Sequence, residues 1–169
     1  LGEPLVVLRR SALTDVLAGA LTSGTVRTGV TAERLELVSD GVRVTLSDST
    51  TRRAAAVIGA DGTHSVVARH LNGPLRNRYV GYTPWRGVAD VAIEPDLSGE
   101  TLGAGRECGH VPLGAGHTYW FATERAPEGR VAPAGELAYL TTRFGSWAEP
   151  LPKLLAATDP DVILHNDLY

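Results

Sequence analysis

The chain has 169 residues, 43% of them hydrophobic and 21% charged, with a formal net charge of −3, a balance that excludes a disordered tail, a collagen-like repeat and a coiled coil. Acidic residues outnumber basic ones and Lys153 is the only lysine, so a nucleic-acid partner, which needs a basic excess, is not expected. The apolar runs fall short of the roughly 20 residues that span a bilayer, and no membrane partner is expected.

Along the chain, residues 5–8 read as an extended entry. Leu13, Val16, Leu17, Ala20 and Leu21 then recur at helical spacing, which predicts a helix over residues 11–22 with Ser11 as N-cap and Gly24 beyond its end. From Val26 the period changes. Val42, Val44 and Leu46 alternate with Arg43 and Thr45, and residues 47–50 supply turn chemistry, so a hairpin-like pair is expected, with residues 35–38 as a further strand. Residues 54–60 form a short apolar run without alternation, which suits a strand covered on both faces. It empties into Asp61-Gly62, where Thr63 would cap a helix reaching Leu71.

Beyond Pro74, Gly and Pro punctuate β-prone pieces at residues 86–93, 106–112 and 118–123, the strands of a more antiparallel sheet. Residues 94–105 and 125–135 read as Gly/Pro-rich connections. Helices are expected over residues 136–144 and 151–157. The fold class that follows is α/β of mixed α+β type, divided into residues 1–71 and a sheet-rich lobe over residues 72–169.

Cys108, the only cysteine, excludes an internal disulfide and reads as a small packing residue in a reducing compartment. No basic-then-apolar leader follows Leu1, so a cytoplasmic protein is expected. The absence of Met suggests excision from a longer chain. Five scattered histidines lack ligand spacing, so no metal is expected, and Asp159 and Asp161 around Pro160 read as a helix end and turn.

One stretch carries chemistry. Val57-Ile58-Gly59-Ala60-Asp61-Gly62-Thr63-His64-Ser65, followed by Arg69, is a strand, a glycine-bearing turn and a capped helix. The glycines admit a close ligand, Asp61 accepts from hydroxyls, and a helix N-terminus favours anionic groups. Arg69 lies one turn past Ser65 on the same face. The same residues would equally make a plain strand-turn-helix, since Asp-Gly is a common turn pair.

The stretch resembles the second FAD-site motif of the class A flavoprotein monooxygenases, the para-hydroxybenzoate hydroxylase family. Upstream, Leu8-Arg9-Arg10-Ser11-Ala12-Leu13 looks like that family's helix-opening segment, with Arg10 at the position that reaches the FAD phosphate and ribityl region. Val30 matches the strand that meets the adenine through its backbone. Downstream, Tyr79 to Gly87, Gly109 to Leu113 and Tyr119-Trp120-Phe121 resemble the substrate lobe of the branch with urate hydroxylases and zeaxanthin epoxidase-like enzymes.

That resemblance implies a partial FAD-binding region over residues 1–71 and a substrate-binding lobe over residues 72–169. It implies that NAD(P)H reduces FAD, that O2 gives a C4a-hydroperoxyflavin, and that one oxygen passes to an aromatic or similar small organic substrate. The cofactor carries this chemistry, so no catalytic acid or base is named. The implied cofactor residues are Arg10, Val30, Asp61, Gly62 and Arg69; Tyr119 is the implied substrate-facing residue, with Trp85 and Phe121 as aromatic wall. Adjacent strand residues face opposite ways, however, so at least one of Tyr119, Trp120 and Phe121 points elsewhere.

The chain departs from the family in three places. No Gly-x-Gly-x-x-Gly stands near its start, and it stops at Tyr169 before the third FAD segment, so it reads as the middle of a monooxygenase that alone holds FAD weakly or not at all. Urate-type relatives carry an Arg near the position of Glu107, whereas here the Arg is Arg106, which argues against urate. Two other classes stay open beside the monooxygenase: a related FAD oxidoreductase that does not hydroxylate, and a non-catalytic binding module. Flavin retention separates the last from the others.

Overall fold

The computed structural model describes Gly2 and residues 6–169; of the expected extended entry, Leu5 lies outside the described residues and residues 6–8 are irregular backbone. Two compact units emerge, Val16–Arg78 and a second in which Tyr79–Tyr169 is grouped with the residues up to Asp15. The boundary falls inside the first helix, α1 (Arg10–Gly19). Its first turn closes from the Arg9 carbonyl to the Leu13 amide, which places Ser11 inside the helix rather than at its cap.

Val16–Arg78 holds an antiparallel meander of β1 (Ala32–Val38), β2 (Gly41–Leu46) and β3 (Thr51–Ala54). The expected alternation sets the register, Val42 opposite Leu37 and Val44 opposite Leu35. Asp48 makes the second turn by accepting from the Thr50 amide at 3.0 Å and hydroxyl at 2.6 Å. Helix α2 (Val66–Asn72) packs against β1.

The strand expected over residues 54–60 is not formed. Pairing stops at Ala54, and residues 55–62 run as irregular backbone with Ile58 92% exposed. A strand covered on both faces needs paired edges and two covering layers, and neither exists here among the described residues. Small apolar side chains alone do not create them.

The second unit is built on a five-stranded antiparallel sheet in the order β5-β6-β7-β4-β8. Its strands are β4 (Tyr82–Ala89), β5 (Gly99–Gly103), β6 (Arg106–Gly114), β7 (His117–Arg125) and β8 (Leu164–His165). Helices α3 (Glu136–Phe144) and α4 (Leu151–Ala156) cover one face. Their Leu140, Phe144, Leu151, Leu154 and Leu155 meet Trp85, Ala89, Cys108, Trp120 and Ala122 in a single core. Each such large side chain contributes about 1.5–3 kcal/mol over its exposed state.

Strict alternation in β7 buries Thr118, Trp120, Ala122 and Glu124 on the helix side and leaves Tyr119, Phe121 and Thr123 half-buried on the other. Residues 94–105, expected as a connection, contain a 3-10 turn (Pro95–Leu97) and β5. The Gly-Glu-Thr-Leu-Gly sequence of β5 has little intrinsic strand preference, and its pairing with β6 imposes the conformation. No helix among the described residues is long and apolar enough to cross a membrane.

Candidate functional site

Asp61 sits on the irregular segment before α2 and organises that helix's start. One carboxylate oxygen accepts from the Ser65 hydroxyl at 2.6 Å, the other from the Val66 amide at 2.7 Å. Ser65 in turn accepts from the Ala68 amide at 2.9 Å, so Ser65, not Thr63, is the N-cap. The hydrogen bond from Ser65 and then that from Val66 hold the Asp61 carboxyl below the ordinary aspartate value. Gly62 adopts φ +78°, with open space where a side chain would stand.

Arg69, in the last turn of α2, donates its backbone amide to the Ser65 carbonyl at 3.2 Å. Val30 precedes β1 and is half-buried. The next residue, Thr31, is tied to the turn after β2, its amide to the Ser47 hydroxyl and its carbonyl to the Ser47 amide. Arg10 opens α1, and its carbonyl accepts from Thr14 at 2.9 Å. Neither Arg10 nor Arg69 is in an ion pair among the described residues.

On the sheet, direct opposition in the register fixes which side chains share a face. Val88 opposes Tyr119 and Arg86 opposes Phe121, so these four project from the face without helices. Trp85 opposes Ala122 on the other face and is fully buried. The expectation that Trp85 joins Tyr119 and Phe121 in one aromatic wall is therefore corrected: an odd step along the chain from Arg86 inverts its direction.

Trp85 belongs instead to a packed ionic and aromatic cluster. Its indole donates to Glu136 at 2.6 Å and stacks between Tyr139 and His165, at ring-centroid distances of 5.5 and 5.2 Å. The Arg130 guanidinium lies 3.9 Å from the Tyr139 ring centroid and pairs with Glu136 at 2.6 Å. Nearby, buried Glu124 accepts from the Tyr139 hydroxyl and pairs with Arg143 at 2.9 Å. Burial and then donation to Glu124 raise the Tyr139 phenol above its ordinary value. Arg106 joins this side, donating to the Arg143 carbonyl at 2.9 Å, whereas Glu107 opposes Thr123 on the helix-free face.

Tyr119 and Phe121 line a cleft of about 290 Å³ with Val111, His110 and the segment Ser98-Gly99-Glu100. Sequence reasoning missed Glu100 because nothing in one sequence sets the register between β5 and β6. Gly109 shapes the floor: a side chain there would lie 2.3 Å from the Phe121 ring. Among the described residues no cluster of His, Cys, Asp and Glu fits a metal ion.

No family model matches the chain. It is 36% identical over 170 residues to an aurachin C monooxygenase/isomerase of Stigmatella aurantiaca, covering 99% of this chain and 44% of that protein. It is 34% identical over 170 residues to a chloroplastic zeaxanthin epoxidase of Nicotiana plumbaginifolia, covering 96% of this chain and 25% of the relative. Among solved structures, HpxO of Klebsiella pneumoniae, complexed with FAD and uric acid, superposes with a TM-score of 0.86 at 28% identity, over 94% of this chain and 42% of that one. The chain thus spans less than half the length of these relatives.

Proposed function

We propose that this chain, which belongs to the FAD-dependent monooxygenases, forms part of an enzyme that uses FAD, NAD(P)H and O2 to insert oxygen into an aromatic or similar small organic substrate. The observation that carries the reading is similarity along 99% of the chain to a monooxygenase. In this reading residues 1–71 contribute to FAD binding and residues 72–169 to the substrate lobe, in the cytoplasm.

FAD, when bound, supplies the electron storage and oxygen activation. Several features fit an anionic dinucleotide. Gly62 lets a ligand approach the backbone closely, and the Arg10 and Arg69 guanidiniums carry charge without a protein counter-ion among the described residues. Asp61 fits less directly, because both its oxygens already hold the start of α2; its part is to fix the Gly62 turn. Val30, half-buried just before β1, would offer its backbone to the adenine. Tyr119 and Phe121 form the substrate wall, Phe121 by stacking and Tyr119 by hydrogen bonding.

The test, on the complete protein that contains this chain, is NAD(P)H consumption in the presence of FAD and O2 with a panel of phenols and heteroaromatic rings. An oxygenated product formed in step with NAD(P)H oxidation is the expected result. Oxidation with no oxygenated product from any ring would favour the non-hydroxylating FAD oxidoreductase, and absence of FAD-dependent turnover would reject the assignment.

A further inference from the structure

Across the sheet, Glu100 opposes Gly109, Gly109 opposes Phe121, and Phe121 opposes Arg86. Such a row places all its side chains on one face, here the face without helices. At Gly109 the row has no side chain, and its neighbours converge on the gap. A β-carbon there would lie 2.3 Å from the Phe121 ring and 3.0 Å from Cγ of Glu100. The Glu100 stem and the Phe121 ring therefore lean over the same spot, inside the cleft that Tyr119 also lines.

The charges at the two ends of the row are not equivalent. Arg86 lies beyond Phe121, outside the residues lining the cleft, and its guanidinium is held by the Asn166 side-chain oxygen at 2.7 Å. Glu100 lines the cleft and has no ion-pair partner among the described residues. His110, nine-tenths buried, supports that placement. Its Nε2 donates to the Leu97 carbonyl at 2.5 Å, tying down the turn that leads into β5. A ring entering the cleft meets a carboxylate uncompensated by a neighbouring cation.

We propose that Glu100 is a specificity-determining residue: it selects a ring presenting an N–H or O–H donor, neutral or cationic, and rejects a ring bearing a carboxylate. The proposal rests on the reading of the Tyr119 and Phe121 face as the substrate surface and adds the chemistry that surface accepts. An ionised carboxylate is an acceptor only, so donors gain a charge-assisted hydrogen bond while a second carboxylate meets repulsion.

The test titrates the chain with benzylamine, phenol and benzoate, following the Tyr119 and Phe121 ring signals by NMR. Benzylamine binds about tenfold more tightly than benzoate, with phenol between them. Glu100→Gln, at an exposed position, brings that ratio to within about twofold, and Arg86→Gln preserves it. Ring signals that respond equally to benzylamine and benzoate, or a ratio that survives Glu100→Gln, overturn the role of Glu100 and leave the substrate surface standing. Ring signals that respond to none of the probes overturn the surface itself, and the proposal with it.

Discussion

Gly87 and Gly109 sit in matching positions, each opposite an aromatic residue of β7, but on opposite faces of the sheet. A β-carbon at Gly87 would lie 2.5 Å from Cζ2 and 2.6 Å from Cε2 of Trp120. Trp120 is fully buried, and its indole donates to Thr158 at 2.8 Å, which donates in turn to the Leu154 carbonyl at 2.7 Å. The ring has no free direction to move. Overpacking costs about 1–3 kcal/mol, and a disturbed buried hydrogen bond adds about 0.5–1.5. Against this, alanine in place of glycine recovers about 0.5–1 kcal/mol of backbone entropy. Gly87→Ala is therefore destabilised by about 0.5–4 kcal/mol with a midpoint near 2, and that midpoint is a fall in Tm of roughly 4–8 °C for a chain of this size. At Gly109 the clash is with the half-buried Phe121, which swings toward solvent, so Gly109→Ala loses less than about 1 kcal/mol while reshaping the cleft. Urea unfolding followed by tryptophan fluorescence reads both values. Equal losses, or Gly87→Ala at wild-type stability, would refute the assignment of the two faces.

The Asp61 carboxyl lies below its ordinary value in the folded chain, so its contribution is complete above the unfolded aspartate pKa and is lost as pH falls through the folded one. Protection of the Val66 amide, its exchange rate relative to the intrinsic rate at each pH, should fall over that acidic window in wild type and be low throughout in Asp61→Ala. Tyr139 has the opposite sign: its raised value means stability present below the unfolded tyrosine pKa and lost as pH rises through the folded one. Tyr139→Phe should flatten that alkaline decline in thermal melts, and an unchanged decline would remove Tyr139 as its source. In the complete protein, Arg10→Ala should weaken FAD retention more than Tyr119→Phe, which should alter substrate turnover instead; equal flavin occupancy in wild type and Arg10→Ala counts against Arg10 as a cofactor contact.

Elements whose pattern reflects their own burial were legible in the sequence. The apolar spacing from Leu137 to Phe144 marks α3 to the residue; alternation through Val42, Val44 and Leu46 marks β2 as a strand, although all six of its residues are equally half-buried. What depends on a distant partner was not. Ala54 to Ala60 has the composition of a covered strand, yet that state needs flanking strands, and here Ile58 stands in solvent. β5 exists because β6 pairs with it.

The same limit applies at the site. Alternation places Tyr119 and Phe121 on one face, but whether Trp85 joins them depends on how β4 aligns with β7. That alignment gives Trp85 to the helices and Arg86 to the cleft side. Glu100 enters the cleft only through the pairing of β5. The Asp61-Gly62 turn was visible as a motif; the double use of its carboxylate within α2 was not.

The most direct measurement is an amide NMR titration, with FAD, of the complete protein that contains this chain. Saturable shifts concentrated at Val30, Gly62 and Arg69, reduced in Arg69→Ala, are the expected result. Spectra unchanged at these amides at saturating FAD, or changed identically by an unrelated anion such as sulfate, would contradict it.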